Sequence, residues 1–423
     1  MEPKQEKIYN MENNEKIPFA FEEATKDKSK HIIKVVGVGG GGSNAVKNMH
    51  RQGVQDVSFA ICNTDSKALA SAKIPVKIQL GKAGLGVGGK PEKGREAAEY
   101  SIDAIRTLFE DETQMVFITC GMGGGTGTGA GPVIASVAKE KGILTVGVVT
   151  IPFIFEGRVQ MGKALLGVEE MRKNVDALLV INNQRLFDLY SDGITKAEEA
   201  FAKADEIVTI AAKSISEIIT MEGIVSRDFC DVQTVMKDGG DAIMSVGRAN
   251  GEHRIEKAFI DALKSPLLNN VKIEKARRLL YIIYSSDEHQ ATISELSEIN
   301  LFMEDLATET EVLWGLYRDN SLNEDVKVTL IATDFEEDGE RLHQTKETDE
   351  KSKRDALIQS YYGDIQKNLK KERATETEEN APSEAPEEKE EDIRNEAEKE
   401  ESQKATFLGR FIKKLEGFMN EME

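Results

Sequence analysis

Residues 121–129 read Gly-Met-Gly-Gly-Gly-Thr-Gly-Thr-Gly, and six of these nine residues are glycine. Glycine inside a helix or strand costs up to ~1 kcal/mol relative to alanine, so an ordinary element does not contain such a run. The stretch follows an apolar, β-branched run, Met115–Cys120, and precedes a segment of helical period, Gly131–Lys141. At such a strand-to-helix turn, missing side chains let backbone N–H groups approach a phosphate, and the helix N-terminus adds partial positive charge. The pattern predicts a phosphate-binding loop.

A second glycine-rich loop, residues 38–45, also follows a strand and opens a helix. Gly37, Gly39 and Gly42 satisfy the dinucleotide pattern GxGxxG, with Asp65 placed 23 residues after Gly42. Alone, this match also fits a tight turn with close strand–helix packing. Two such loops on neighbouring strands indicate instead a polyphosphate held between them.

The third loop, residues 84–91, nearly spells the Walker A motif. Pro91 occupies the Ser/Thr position, so the hydroxyl that would ligate Mg²⁺ is absent and a standard P-loop is rejected. Residues 41–45 resemble a GxSxG nucleophile elbow but lack its final glycine, and no histidine and acid partners accompany them.

The alternation of elements indicates an α/β fold with a mostly parallel, Rossmann-like sheet. A helical pattern then runs from about 197 to 221, and the elements beyond Gly223 indicate a second, smaller α+β domain. The predicted strands of the first domain are Ile32–Val38, Val57–Cys62, Val76–Leu80, Met115–Cys120, Ile143–Ile151 and Val175–Ile181.

Composition excludes several classes of protein. The 423 residues carry 75 acids and 55 bases, a formal charge of −20, whereas a generic nucleic-acid binder needs cationic surface. The longest apolar stretch, Ile143–Phe155, is shorter than the roughly 20 residues of a membrane span, and the first residues lack the apolar core of a signal peptide. Three cysteines without CxxC, and histidines without ligand spacing, predict neither a disulfide framework nor a metal site. A soluble protein of a reducing compartment is expected.

The end of the chain reads as a tether carrying a peptide. Residues 372–401 hold 14 acids and 4 bases, too little apolar surface to offset chain entropy. Apolar residues then return at helical spacing, so this segment either packs on its own globular body or docks in a groove of another protein. They include Phe407, Leu408, Phe411, Ile412 and Leu415.

The sequence resembles the FtsZ family of bacterial tubulin homologues. Residues 121–129 resemble the tubulin/FtsZ signature GGGTG[ST]G, and residues 223–232 look like the family's synergy loop. The similarity runs from about Ile32 to Phe335. It implies a tubulin-like GTPase fold with these parts: a disordered arm (1–30), a GTP-binding domain (31–196), a central helix (197–222), an α+β domain (223–337), a disordered acidic linker (338–405) and a partner-binding peptide (406–423).

The resemblance also implies a function. The chain would bind GTP and GDP with Mg²⁺, polymerise head to tail, and act in cell division and septation in the cytoplasm, at the mid-cell ring. Its terminal peptide would bind an actin-like adaptor of the FtsA type. The implied nucleotide contacts are Gly40, Gly41, Gly42, Ser43, Asn44, Gly86, Gly88, Gly124, Gly125, Thr126, Gly127, Thr128, Glu156 (ribose), Gln160, Asn183, Phe201 (stacked on guanine) and Asp205.

Asp228 and Asp231 are the candidate catalytic pair. Three residues apart at the start of a predicted helix, their carboxylates share one face and could polarise a water attacking the γ-phosphate. In the family this loop enters the nucleotide site of the next subunit. The alternative is that Asp228 only caps the helix that follows.

Two departures from the family pattern bear on hydrolysis. Ser226 and Arg227 replace the usual Asn-Val, with no partner for Arg227 evident, and Gln160 aligns with an expected arginine that Arg158 would replace. A nucleotide-binding filament scaffold with weak hydrolysis is therefore the alternative function. A dinucleotide-dependent oxidoreductase explains only the first loop and Asp65.

Overall fold

The computed structural model describes residues 8–9, 16–17, 31–185, 197–221, 223–264, 273–304, 306, 309–335, 351, 353–363 and 365, with only the backbone of 8–9, 16–17, 197–205, 274, 301 and 304. They form two compact units, residues 1–221 with 227–242, and residues 222–226 with 243–423. Near the N-terminus β1 (Ile8–Tyr9) pairs antiparallel with β2 (Lys16–Ile17). The rest of the arm predicted for 1–30 lies outside the described residues.

The first unit is built on a parallel sheet whose strand order is β5-β4-β3-β6-β7-β8. Its central strands are buried along almost their whole length because helices cover both faces, as expected for a parallel sheet. The strands are β3 (Ile33–Val38), β4 (Val57–Asn63), β5 (Val76–Gln79), β6 (Met115–Gly121), β7 (Leu144–Ile151) and β8 (Ala177–Asn182). Each predicted strand is therefore confirmed within one or two residues.

The helices of the first unit alternate with these strands. They are α1 (Gly39–Arg51), α2 (Ser66–Ala70), α3 (Pro91–Tyr100), α4 (Ile102–Leu108), α5 (Thr126–Glu140), α6 (Arg158–Arg172), the long α7 (Ala197–Thr220) and α8 (Phe229–Met236). Residues 91–108 have a helical period throughout but form two helices, α3 and α4, because the helix breaks at Ser101. The hydroxyl of Ser101 accepts a hydrogen bond from the backbone N–H of Gly81 at 2.9 Å, and such side-chain bonds compete with the helical pattern.

The second unit carries a mixed sheet in the order β10-β13-β11-β12-β9. Its core includes Phe259, whose ring contacts the rings of Tyr281 and Phe302. The strands are β9 (Gly223–Val225), β10 (Gly240–Ala249), β11 (Ala276–Ser285), β12 (Glu311–Arg318) and β13 (Val326–Phe335); the helices are α9 (Arg254–Leu263), α10 (Ile293–Ser297), α11 (Ile299–Glu304) and α12 (353–363).

Two predicted boundaries differ from the structure. Residues 227–242 belong to the first unit, not to an α+β domain that starts at 223, because α8 packs against β7 and α7. Residues 353–363, predicted as disordered linker, form α12 and bury Leu357, Ile358 and Tyr362. Their apolar spacing is masked in the sequence by the charged residues around them. Among the described residues, no helix is both long enough and apolar enough to cross a bilayer.

Candidate nucleotide site

Two glycine-rich turns lie side by side at the carboxyl edge of the first unit's sheet. β3 and β6 are parallel neighbours in register, with Val38 opposite Cys120, and the helices that follow them pack together. A Cβ built on Gly41 would stand 3.2 Å from the Cα of Gly121, so the two turns are in contact. The glycines of the first loop form the first turn of α1, whereas Gly121–Gly125 form the turn that leads into α5 at Thr126.

The two helix N-termini make this edge attractive to an anion. Neither α1 nor α5 carries an acidic residue in its first turn. Unpaired N–H groups and the helix dipole therefore present positive potential without an opposing carboxylate. Such an arrangement suits phosphate.

The glycines divide into two kinds by what surrounds them. Among the described residues, nothing lies within 4 Å of a Cβ built on Gly40 or Gly124. By contrast, a Cβ on Gly42 would stand 2.1 Å from the carbonyl oxygen of Thr119, and one on Gly127 would stand 2.7 Å from that of Gly121. The first pair borders open space, and the second pair permits close backbone packing.

The third loop closes one side of the same place. A Cβ on Gly125 would stand 2.5 Å from a methyl of Val87 and 2.9 Å from the backbone nitrogen of Lys90. Gly86 and Gly88 have positive φ angles, 75° and 58°, and border open space within the described part of the chain. All three glycine-rich loops singled out in the sequence are thus brought together.

Hydroxyl and amide groups line this edge. The Thr64 and Thr126 hydroxyls are 2.7 Å apart, and the Thr128 hydroxyl accepts the backbone N–H of Gly123 at 2.9 Å, which fixes the second loop. Two buried oxygens, Oγ of Ser43 and Oδ1 of Asn183, have no hydrogen-bond partner among the described residues. Buried polar atoms rarely stay unpaired, so both oxygens are candidates for a hydrogen bond to a ligand.

The remaining predicted contacts are placed as follows. Oε1 of Glu156 accepts the backbone N–H of Phe153 at 2.9 Å, and its residue is exposed. Gln160 lies against the second loop, with its Cγ 3.2 Å from a Cβ built on Gly123. Asn44 is exposed in the second turn of α1. Phe201 and Asp205 lie on α7, and their side chains fall outside what the structure describes, as do residues 407–415.

Asp65 is engaged in a way that sequence spacing does not reveal. Its carboxylate accepts the N–H groups of Lys67 and Ala68, at 2.9 and 3.2 Å, and so caps α2. This N-cap accounts for an aspartate at position 65 without a hydrogen bond to a ribose.

Asp228 and Asp231 form a reciprocal cap at the start of α8. The N–H of Asp231 donates to Oδ1 of Asp228 at 3.0 Å, and the N–H of Asp228 donates to Oδ2 of Asp231 at 3.1 Å. The capping role considered for Asp228 is confirmed. The cap uses one oxygen of each carboxylate and leaves the other oxygen outside the cap. Oδ1 of Asp231 lies 3.6 Å from Nη1 of Arg227, an ion pair that the sequence did not identify.

The segment that carries this pair is anchored at the amino edge of the sheet. Near the end of α7, the Ser216 hydroxyl donates to the carbonyl of Gln55, just before β4 begins. After α8, the N–H of Gly240 bonds to the carbonyl of Asp176, just before β8 begins. The segment carrying both aspartates runs between these two anchors, whereas the glycine-rich loops follow the opposite ends of the strands.

Comparison with known proteins gives consistent results. Residues 32–191 match the model of the Tubulin/FtsZ family, GTPase domain, and residues 240–336 match the FtsZ family, C-terminal domain. The chain is 53% identical over 314 residues to the cell division protein FtsZ of Porphyromonas gingivalis (strain ATCC BAA-308 / W83), covering 73% of this chain and 68% of that protein. It is 41% identical over 309 residues to the FtsZ of Aquifex aeolicus (strain VF5), covering 72% and 83%.

Solved structures show the same fold. An empty FtsZ dimer of M. jannaschii is similar with a TM-score of 0.66 and 38% identity, over 73% of this chain and 89% of that one. A GTPγS-bound protofilament of CetZ2 from Haloferax volcanii is similar with a TM-score of 0.61 over 78% and 98%; at 20% identity it bears on the fold alone.

Proposed function

The chain belongs to the FtsZ family, and from this premise we propose that its GTP is hydrolysed between two subunits, with Asp228 and Asp231 of one molecule acting on the nucleotide of the next. The family is that of cell-division cytoskeletal GTPases, which hydrolyse GTP to GDP and phosphate and assemble into filaments. The predicted fold and activity are thereby confirmed. The residue roles stay proposals.

The opposite placement of the two half-sites carries this proposal. Strands of six to eight residues separate the sheet edges, which is roughly 20–26 Å at about 3.3 Å per residue. A carboxylate must come within hydrogen-bond reach, directly or through one water, of the group it acts on. The Asp228–Asp231 pair therefore cannot serve the nucleotide of its own molecule, but a head-to-tail neighbour would bring its pair to that nucleotide.

We assign the phosphates to the N–H groups at the starts of α1 and α5 and to the open faces beside Gly40, Gly124, Gly86 and Gly88. The unpaired Oδ1 of Asn183 supports its role as an acceptor for the guanine edge. By resemblance, Glu156 contacts the ribose, Phe201 stacks on the base and Asp205 bonds its edge. In phosphoryl transfer, positioning and electrostatics supply most of the acceleration. The incoming aspartates orient and polarise the attacking water.

Mg²⁺ is the cofactor that this chemistry requires. The ion commonly keeps several waters and binds phosphate oxygens with only one or two protein ligands. The hydroxyls of Ser43 and Thr126 at the loop edge fit this pattern, since they add oxygen atoms without charge. Bound Mg²⁺ would neutralise charge that develops on the phosphates.

The proposed partners extend to the terminal peptide. Its apolar stripe (Phe407, Leu408, Phe411, Ile412, Leu415) fits a groove in an adaptor of the FtsA type, which would place filaments at the mid-cell division ring. The acidic segment before it would act as a tether that raises the effective concentration of the peptide.

One observation keeps weak hydrolysis as a second candidate. Gln160, a neutral amide, lies against the second loop where the resemblance expects an arginine. Phosphate release measured against protein concentration separates the two functions. We expect a threshold and a superlinear rise for a site completed by assembly. A rate per molecule that is independent of dilution would overturn the shared site, and filaments that release phosphate only at background would favour the scaffold.

A further inference from the structure

Three side chains with metal-binding atoms meet in the second unit, away from the nucleotide loops in the sequence. His253 immediately precedes α9, Glu256 lies in the first turn of that helix, and Glu298 directly follows α10. One ligand atom from each lies within 4.8 Å of the others. Nδ1 of His253 is 2.8 Å from Oε1 of Glu298 and 3.9 Å from Oε2 of Glu256.

The carboxylates of Glu256 and Glu298 have too few hydrogen-bond donors or cations beside them to compensate for their burial. Glu256 is only 7% exposed, and the imidazole nitrogen that faces it stands beyond hydrogen-bond length. Oε2 of Glu298 is buried without a hydrogen-bond partner in the described part of the chain. A buried carboxylate oxygen normally has a proton, a donor or a cation beside it.

The nearby cations are engaged elsewhere. The guanidinium of Arg254 bonds to Glu295 at 2.7 Å and to backbone carbonyls, including that of Glu324 at 3.0 Å. Nζ of Lys257 donates to the carbonyl of Glu252 at 2.7 Å. The cluster as it stands holds more negative charge than its neighbours balance.

We propose that His253, Glu256 and Glu298 bind a divalent transition cation of the zinc class. Nδ1 of His253 and one oxygen from each carboxylate would supply three ligands, and water a fourth, in the mixed N/O set that zinc accepts. The imidazole ligand favours zinc over Mg²⁺ or Ca²⁺, which prefer oxygen alone. The bound ion would neutralise both carboxylates and tie the start of α9 to the end of α10.

The sequence did not predict this site because the ligands have no motif spacing. His253 and Glu256 are three residues apart, but Glu298 is 45 residues from His253 and is delivered by the fold. His253 also has a left-handed backbone, φ 54°, which turns the chain into α9.

Zinc binding to the full chain tests the proposal. Cys230 is exposed and could bind zinc by itself, so Cys230→Ser is the parent for all variants. Metal- and nucleotide-free protein is dialysed against zinc chloride, and bound zinc is counted by mass spectrometry. We expect one tightly held zinc ion in the parent, and its loss in both His253→Asn and Glu298→Gln. His289→Asn, which changes an exposed histidine outside the cluster, should keep the ion.

A second readout guards against variants that are simply less stable. Each protein is melted with and without zinc chloride, because a ligand that binds only the folded state raises Tm. Zinc should raise the Tm of the parent and of His289→Asn and leave the two cluster variants unshifted. The proposal is overturned if the parent binds no zinc, if the cluster variants bind and respond as the parent does, or if Mg²⁺ or Ca²⁺ produces the same His253-dependent shift.

Discussion

Asp228 and Asp231 cap each other: each carboxylate accepts the backbone N–H of the other residue, at 3.0 and 3.1 Å. The bonds fix both side chains at the start of α8 before any neighbour arrives. Each aspartate therefore has two separable roles, one in the stability of the helix and one in turnover.

Asp231→Ala should separate these roles. Loss of a cap costs about 0.5–2 kcal/mol of stability, and loss of a positioned acid–base group lowers turnover by roughly 10²–10⁴. GTP affinity should stay, since the residue lies at the far edge of its own sheet. Nucleotide titration, phosphate release and thermal melting measure the three quantities.

Thr292→Ala is the matched control, because Thr292 and Glu295 form the same reciprocal cap in the second unit. It should lower stability by a similar amount while GTP turnover stays near that of the parent. If both variants lost turnover equally, the effect of Asp231→Ala would be one of stability. If Asp231→Ala lost nucleotide affinity, the position proposed for Asp231, away from its own nucleotide, would be wrong.

A shared site predicts complementation between two inactive variants. Gly124→Val points a side chain into open space, so it should fold but block the nucleotide. The valine side chain should prevent one charge-assisted hydrogen bond to the nucleotide. Such a loss costs about 1.5–3 kcal/mol, which is roughly a 10–100-fold decrease in GTP affinity. In a mixture with the Asp231→Ala protein, the Gly124→Val protein still offers an intact aspartate pair to an Asp231→Ala neighbour that holds GTP. The mixture should release phosphate faster than the sum of its parts.

That complementation has a clear contrary outcome. If each molecule contains a whole site, the mixture will show only the additive background at every ratio. A double variant carrying both changes on one chain serves as the control and should rescue neither single variant beyond that background.

The two kinds of glycine should respond differently to a single methyl group. In Gly42→Ala the new Cβ meets the Thr119 carbonyl at 2.1 Å, a backbone clash that should destabilise the protein by at least about 1–3 kcal/mol. Gly124→Ala should melt like the parent and lose GTP affinity instead. Melting curves and nucleotide titrations of both variants test this; a normal Tm for Gly42→Ala would contradict the packing role.

Thiol labelling should report on one cysteine of three. Burial raises the pKa of Cys62 to about 12, and burial with the nearby Cys62 raises that of Cys120, so neither forms thiolate near pH 8. Cys230 is exposed between the two aspartates. A maleimide should modify one thiol per native chain, and this modification should abolish turnover while GTP still binds.

Mass spectrometry of the labelled protein checks the position. Cys230→Ser should be inert to the reagent until it is unfolded, and its turnover should survive treatment. Labelling of Cys62 or Cys120 in the native protein, or full turnover after Cys230 is modified, would contradict this interpretation.

Local signals in the sequence predicted most of the fold. The β-branched runs and glycine-rich turns placed the six parallel strands, because a buried strand and a tight turn each require particular residues over a few positions. Assignment of 227–242 to the first unit was not predictable, because it depends on how α8 packs. The cap formed by Asp65 is a local contact, but the spacing of Asp65 from Gly42 also fitted a ribose ligand. The helix at 353–363 was missed because charged residues mask its apolar spacing.

The candidate site was predictable to the level of loops but not of atoms. The sequence could not tell Gly124, beside open space, from Gly42, against a carbonyl, since both stand in similar glycine runs. Nor could it give Arg227 a partner, because the ion pair with Asp231 exists only once α8 has formed.

The two half-sites are separated by the length of the strands of the sheet. The two ends of any head-to-tail row of molecules therefore differ. At one tip a nucleotide has no incoming carboxylates, and at the other a carboxylate pair has no nucleotide to act on. A row of n molecules therefore holds n − 1 complete centres, so a pair works at half capacity and a long row at nearly full capacity. Breaking rows without unfolding any molecule should slow turnover, and length itself becomes a control on rate.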